Sequence, residues 1–245
     1  AAQQVGQGAI PQPLPENGAQ EIAAVSRAFN QMSADLAANE RERALVLAGI
    51  SHDLRTPLAR VRLAAELSAD EVLREGLTAD VEQMDAVIQQ FLDYSRLDEH
   101  EAVVPTDLSL LAREVAQRFQ AQAKSIAFDL QPLPPLPVRP LLLKRALANL
   151  LDNAVKYGGG EITVQLGQAQ GGVVLAVADR GAGIDAAQRE TAKRPFVRLE
   201  SARSDATGSG LGLAIVERAA RLHRGEFRLE DRAEGGLVAK LVLPQ

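Results

Sequence analysis

The stretch GISHDLRTPLARVRL, residues 49–63, puts a histidine, an aspartate, an arginine and a threonine close together, at His52, Asp53, Arg55 and Thr56. An imidazole with an ordinary pKa of about 6.5 is roughly half neutral near physiological pH, so His52 can serve as a nucleophile or a base. The carboxylate of Asp53 next to it can hold the ring in one tautomer and accept its proton. On a helix, Arg55 and Thr56 lie three and four residues beyond His52 and share its face. Ile50 and Leu54 flank His52 two residues away on either side, and two residues turn a helix through about 200°, so His52 is expected to face solvent. Pro57 removes one backbone hydrogen bond and is expected to bend the helix. A solvated helix face explains such a cluster too, and His100 and His223 read that way. The cluster acquires a function only if the chain also holds a phosphoryl donor.

Three further segments suit a nucleotide, although no G-x-x-x-x-G-K-[ST] loop occurs. In NLLDNAVKYG, residues 149–158, a helix puts Asn149, Asn153 and Lys156 or Tyr157 on one face and Leu147, Leu150, Leu151 and Ala154 on the other. Amide oxygens with one ammonium suit a phosphate-bound Mg2+, which keeps waters and takes few protein ligands. In VADRGAGID, residues 177–185, Asp179 ends an apolar strand, and Gly181 and Gly183 permit a close turn. A carboxylate at that place can accept the exocyclic amine of adenine. In ATGSGLGLAIVERAARL, residues 206–222, Gly208, Gly210 and Gly212 precede an amphipathic helix whose first amides favour phosphate oxygens. A long polar loop over about 185–207 fits a compact unit best as the cover of a ligand. Singly, these segments read as a polar face, a turn and a flexible loop; in this order they match different parts of ATP.

The elements that must position these groups follow from periodicity. Residues 1–20 are rich in Gln, Gly and Pro and read as a connector. Ile22, Val25, Phe29, Met32 and Leu36 form a short coiled-coil seam, polar AANERER follows, and a helix over about 41–67 bears Leu47, Ile50, Leu54, Leu58, Val61 and Ala65 on one stripe. Ser68 is a candidate cap for a second helix over about 70–98, striped by Leu77, Val81, Met84, Ile88 and Phe91. Two such helices predict a hairpin that dimerises into a four-helix bundle. Beyond HEAVVPTDLSL the pattern predicts a helix from Thr106 or Asp107 to about Ala123, a strand at SIAFDLQ and a stiff loop at PLPPLPVRP. A long helix opened by Pro140, two strands joined by a turn, a helix over 211–222 and a closing hairpin follow. That mixture predicts an α+β two-layer sandwich with mostly antiparallel strands.

The totals agree. A chain of 245 residues that is 46% hydrophobic but 3% aromatic fills its core with aliphatic side chains. A net charge of −5 argues against a nucleic-acid binder, and the absence of cysteine excludes disulfides and thiolate metal sites. No apolar run approaches the roughly 18–20 residues that span a bilayer, and the first residues do not resemble a signal peptide, so the chain reads as soluble.

These motifs bring the chain to a family. It resembles the sensor histidine kinases of two-component systems, most closely the EnvZ-like osmosensor group. SHDLRTPLARVRLA looks like the H box, NLLDNAVKYG the N box, DRGAGI the G1 box, PFVR the F box and GSGLGLAIV the G2 box, in family order. Arg180 after the G1 aspartate and Ser209 inside G2 are small departures. EIAAVSRAFNQMSADL resembles the second helix of a HAMP domain. The resemblance implies a partial HAMP domain at 1–40, a dimerisation and histidine phosphotransfer domain at 41–102, and a catalytic domain of the GHKL (Bergerat) ATP-binding fold at 103–245.

It also implies roles. His52 is the phospho-acceptor, Asp53 orients it and takes its proton, and Thr56 positions a water that hydrolyses the phosphorylated partner. Asn153 holds Mg2+ with Asn149 nearby, Lys156 meets phosphate, and Tyr157 packs near the nucleoside. Asp179 reads adenine in a pocket shaped by Gly181 and Gly183. Gly208, Gly210 and Gly212 bring the lid to the phosphates, and Phe196 is a lid anchor or a simple core aromatic. ATP and Mg2+ are the implied cofactors. The implied partners are a second copy of the chain and the receiver domain of a response regulator, with no nucleic acid. Membrane contact comes only through missing N-terminal segments, which makes this a cytoplasmic portion of an inner-membrane receptor. A hinge is expected near 98–106, with Pro105. Two alternatives stay open: an ATPase or serine kinase on the same nucleotide fold, and a non-catalytic dimeric scaffold.

Overall fold

The computed structural model of the chain describes residues 13–17, 19–68, 70–95, 101–169, 171–199 and 209–244. It divides into two compact units, Ala1–Glu99 and His100–Gln245.

The first unit is a helical hairpin of α1 (Gln20–Glu66) and α2 (Glu71–Ser95). The sequence suggests that α1 restarts after AANERER; instead it runs unbroken through that stretch and through Pro57. Ala, Glu and Arg are strong helix formers, so the polar run does not end the helix. The cap of α2 is Asp70, whose Oδ1 accepts the Leu73 N–H at 3.1 Å, and not Ser68, which takes the Asp70 N–H within the turn. Arg55 ties the two helices together, its Nη2 donating to Gln89 Oε1 at 2.7 Å.

The expected stripes are only partly covered within one chain. Ala65 and Val81 are buried, as is Leu92 outside the stripe, while Leu54, Val61 and Met84 are exposed. Near the start of α1, Ile22, Val25 and Met32 lie on the exposed side; Ala23 and Ser26 are buried. There Asn30 binds the preceding segment in both directions, with Leu14 N–H donating to its Oδ1 at 2.8 Å and its Nδ2 donating to the Leu14 carbonyl at 3.0 Å.

The second unit is a two-layer α+β sandwich. Its five-stranded sheet has the order β2-β4-β5-β7-β6, where β2 is Ser125–Leu130, β4 Glu161–Ala169, β5 Gly172–Ala178, β6 Glu226–Asp231 and β7 Leu237–Leu243. All neighbours are antiparallel except β2 and β4. Strand β4 alternates buried and half-buried residues, so one face meets the helices; β5, in the sheet centre, is buried almost throughout. Helices α3 (Leu108–Gln117), α4 (Pro140–Tyr157) and α6 (Gly212–Leu222) supply the other layer. Leu143, Leu147 and Leu151 of α4 and Ile215 of α6 are fully buried, each contributing about 1.5–3 kcal/mol from burial. A 3-10 turn at Ala186–Gln188 leads into the single turn α5 (Arg189–Ala192), so the loop expected to be unstructured begins with helix.

Three local expectations change. The cap of α3 is Asp107, which accepts from Ser109 and Leu110 N–H, and the helix ends at Gln117, short of Ala123. The stiff loop contains a strand, β3 (Leu136–Val138), paired with β1 (Val104–Thr106). Pro105, placed by the sequence in a hinge segment, sits opposite Pro137 in a strand pair.

Candidate functional site

In the second unit, one end of the sheet gathers the segments that the sequence singles out. Asp179 follows β5 and is a buried carboxylate. Its Oδ1 accepts two backbone N–H groups, Gly181 at 2.9 Å and Leu237 at 3.2 Å; Oδ2 takes no hydrogen bond from the described residues. Its own N–H donates to the Leu237 carbonyl at 2.9 Å. The carboxylate is thus held by one oxygen and free to accept with the other, the form needed to read a donor such as an exocyclic amine.

Glycines shape the chain around it. A β-carbon at Gly181 would stand 2.1 Å from the Tyr157 carbonyl oxygen, so the G1 turn passes directly under the end of α4. Gly158, just past α4, backs onto Asp179 itself, and Arg180 N–H donates to the Gly158 carbonyl at 3.1 Å. Gly183 adopts φ +74°, a left-handed conformation that suits glycine.

The second half of the site is the start of α6. Gly212 opens that helix, and a β-carbon there would meet Asn149 Oδ1 at 3.2 Å and the Asn153 amide at 3.7 Å. The helix has no side-chain cap among the described residues, so its first amides point out beside two asparagine side chains. Such a terminus suits phosphate oxygens. Asn149 is oriented by its own helix, with Nδ2 donating to the Arg145 carbonyl at 2.8 Å, which leaves its oxygen facing Gly212. The Asn153 side chain makes no hydrogen bond among the described residues although the residue is half-buried. An unengaged amide oxygen beside a cleared backbone fits an Mg2+ that keeps most of its waters.

Other expected residues fall into place less directly. Lys156 does not stand free for a phosphate: its Nζ donates to Asp152 Oδ2 at 2.6 Å. Tyr157 is exposed. Gly210 has φ +71° and lies tight against Phe196 and Val197, with Phe196 N–H donating to its carbonyl at 3.0 Å. Phe196 is 61% exposed at φ +63°, which removes the core-aromatic reading. His223 is not a solvated surface histidine; it is half-buried, with Nε2 accepting the Arg139 N–H at 2.9 Å and Nδ1 at 2.8 Å from the Ala219 carbonyl. Burial, opposed by the Ala219 contact, holds its pKa below the usual histidine value.

Gly208 lies outside the described residues, as do the side chains of His52 and Asp53; the backbone of both is helical within α1. Thr56 is exposed on α1, as is Arg55. Sequence reasoning missed Gly158, Gly236 and Asp152. Gly158 ends the N-box run and Gly236 sits in the final hairpin, so each reads locally as a turn residue. A β-carbon at Gly236 would stand 2.0 Å from the Asp179 carbonyl oxygen, so the glycine is there for Asp179.

Comparison with known proteins agrees with this geometry. Residues 138–245 match the family "Histidine kinase-, DNA gyrase B-, and HSP90-like ATPase", residues 42–100 the "His Kinase A (phospho-acceptor) domain", and residues 1–38 the "HAMP domain". The chain is similar to the sensor histidine kinase GtrS of Pseudomonas aeruginosa, 38% identical over 246 residues that cover 100% of this chain and 51% of GtrS. Among solved structures it is similar to the mycobacterial sensor histidine kinase MprB, at 32% identity and TM-score 0.50 over 58% of this chain and 97% of that one. It is also similar to full-length ShkA in complex with AMPPNP, at 26% identity and TM-score 0.67 over 81% of this chain and 46% of that one. The chain spans about half the length of the curated relatives it matches. No helix among the described residues is long and apolar enough to cross a membrane. With a phospho-acceptor hairpin followed by a GHKL-type ATPase unit, the chain belongs to the sensor histidine kinases of two-component systems.

Proposed function

We propose that the chain is an ATP-dependent autokinase that phosphorylates His52 and passes the phosphoryl group to an aspartate of a response-regulator receiver domain. The reading is supported above all by one arrangement: Asp179 with one carboxylate oxygen unengaged, at the same end of the domain as an uncapped α6 terminus beside Asn149 and Asn153. Asp179 Oδ2 accepts the adenine amine, the Gly181–Gly183 turn walls the base, and Tyr157 lies near the nucleoside. The amides of α6, reached through Gly208, Gly210 and Gly212, meet the phosphates. Asn153, with Asn149, holds Mg2+, which when bound neutralises phosphate charge. A His52 ring nitrogen attacks the γ-phosphorus; the bond to the β–γ bridging oxygen breaks, ADP leaves, and the ring proton passes to Asp53. Phosphoryl transfer of this kind depends mainly on positioning and charge neutralisation.

The exposed apolar seam of the hairpin favours a homodimer, since Leu54, Val61 and Met84 stay unburied in one chain. In this reading the domains are a partial HAMP at 1–40, the phosphotransfer domain at 41–102 and the catalytic domain at 103–245, together the cytoplasmic portion of an inner-membrane receptor. Thr56, exposed four residues after His52, positions water for the reverse activity, hydrolysis of the phosphorylated regulator. The test is incubation with labelled ATP of the parent chain, His52→Ala and Asn153→Ala. Acid-labile, alkali-stable label on the parent alone is the expected result; label retained in His52→Ala sinks the reading.

A further inference from the structure

Helix α4 begins without a cap of its own. Its N-cap position is Arg139, whose side chain makes no capping bond, and Pro140 follows at the first helical position. Proline has no N–H to satisfy, which leaves Leu141 and Leu142 as the donors in need of an acceptor. Both are taken by Glu101: Leu141 N–H donates to Oε1 at 2.6 Å and Leu142 N–H to Oε2 at 2.9 Å. The carboxylate comes from 40 residues upstream of Leu141 and also faces the positive end of the helix dipole.

Arg139 ties the same corner from the other side. Its Nε donates to the Glu101 carbonyl at 3.1 Å and its Nη1 to the Leu222 carbonyl at the end of α6 at 2.7 Å. Its backbone N–H donates to His223 Nε2, so that ring is the neutral Nδ1–H form. One end of the α4–α6 pair is thus bound to residue 101, while the other end brings Asn149 against Gly212. Glu101 is the first described residue after α2, held by both its side chain and its carbonyl.

We propose that Glu101 is a positioning residue for phosphoryl transfer: it caps α4 from a distance and so makes residue 101 the point at which the chain entering the ATP-binding unit is held. The proposal rests on the kinase reading above. With Glu101 released, the next held residue is Val104, paired with Val138, three residues and up to about 10 Å of extended chain further on. A pivot moved by that distance misplaces the γ-phosphate relative to His52, and a reaction that depends on near-contact geometry does not tolerate this.

The test uses the full chain. In the double variant Glu101→Ala with Arg139→Asp, an aspartate stands at the N-cap and takes the Leu141 and Leu142 amides locally, so α4 stays capped while residue 101 is free. Nucleotide affinity within about twofold of the parent, with autophosphorylation at least about fivefold slower, is expected. The single variant Glu101→Ala is expected to speed hydrogen exchange at Leu141 and Leu142 by about tenfold or more. A double variant that phosphorylates at the parental rate makes Glu101 a cap and nothing more, and overturns the proposal. So does a double variant that loses nucleotide affinity and phosphorylation together, or unchanged exchange in Glu101→Ala. A parent chain that takes no label on His52 removes the kinase reading instead, and the exchange measurement then still judges the capping contact by itself.

Discussion

Gly158 lies directly behind Asp179: a β-carbon at Gly158 would stand 2.5 Å from Asp179 Cβ, 2.9 Å from its Cγ and 2.4 Å from the Ala154 carbonyl oxygen. The φ of Gly158 is −93°, open to any residue, so the glycine is required by space and not by conformation. Gly158→Ala is expected to push Asp179 off its two backbone donors. Overpacking of this kind costs about 1–3 kcal/mol. Nucleotide affinity should fall roughly tenfold or more, since one lost bond of about 1.4 kcal/mol already does that. Calorimetric titration with ATP and a thermal melt check both; a variant with parental affinity refutes the contact.

Asp179→Asn keeps the size and shape of the side chain and can still accept the Gly181 and Leu237 N–H groups. Its second position becomes an NH2 donor facing the adenine amine, donor against donor. A bond to a charged group is worth about 1.5–3 kcal/mol, so ATP affinity should drop roughly tenfold to a hundredfold with the melt little changed. Equal affinity for ATP in the two proteins would remove Asp179 from base recognition.

Lys156 has to leave Asp152 to reach a phosphate. That pair is an i,i+4 surface contact with both side chains about one-third exposed, worth about 0.3–0.5 kcal/mol to the fold. Lys156→Ala should therefore hardly move the melting temperature. It should weaken ATP by about fivefold, a net of ~1 kcal/mol for the new charge-assisted bond less the lost pair, and leave adenosine unaffected. An equal loss for ATP and adenosine would place Lys156 at the nucleoside and not at the phosphates.

His223 makes stability depend on pH in a defined direction. Burial lowers its pKa in the fold; the Ala219 carbonyl opposes, Arg139 adds to the lowering and Glu101 opposes again. The unfolded chain takes up this proton near pH 6.5, the folded chain only at lower pH. Between those values the unfolded state binds more protons, so stability is full above about pH 6.5 and declines as pH falls through the window. His223→Ala should flatten that slope. It should also cost about 1–3 kcal/mol at pH 7.5, because the Arg139 N–H is left unpaired in a half-buried place. Urea melts from pH 5 to 8 measure both, and an unchanged slope in the variant would mean His223 is not the group that titrates.

Most of the elements were legible in the sequence because they arise from patterns that act locally. The stripe of α4 repeats every three to four residues over five turns, and Pro140 marks its start. The β4–β5 and β6–β7 hairpins join neighbouring strands across short turns, so alternation and glycine locate them. The polar run in α1 misled because polarity resembles a linker, while the propensity of Ala, Glu and Arg was the stronger signal. Strands β1 and β3 have three residues each, too few for any periodicity to register.

Residue types and their spacing by themselves determined that the chain offers a histidine cluster on a helix, an aspartate at a strand end, two asparagines on one helix face and a glycine-rich helix start. Only the tertiary structure decided which of these meet and what surrounds them. Gly158 backing Asp179, Gly212 against Asn149, Glu101 capping α4 and His223 accepting from Arg139 join segments about 20 to 84 residues apart. Propensity and periodicity report on neighbours within a turn or two of chain. Contacts of long separation depend on how whole layers pack, and there the burial of α4 and α6 on the sheet sets the distances.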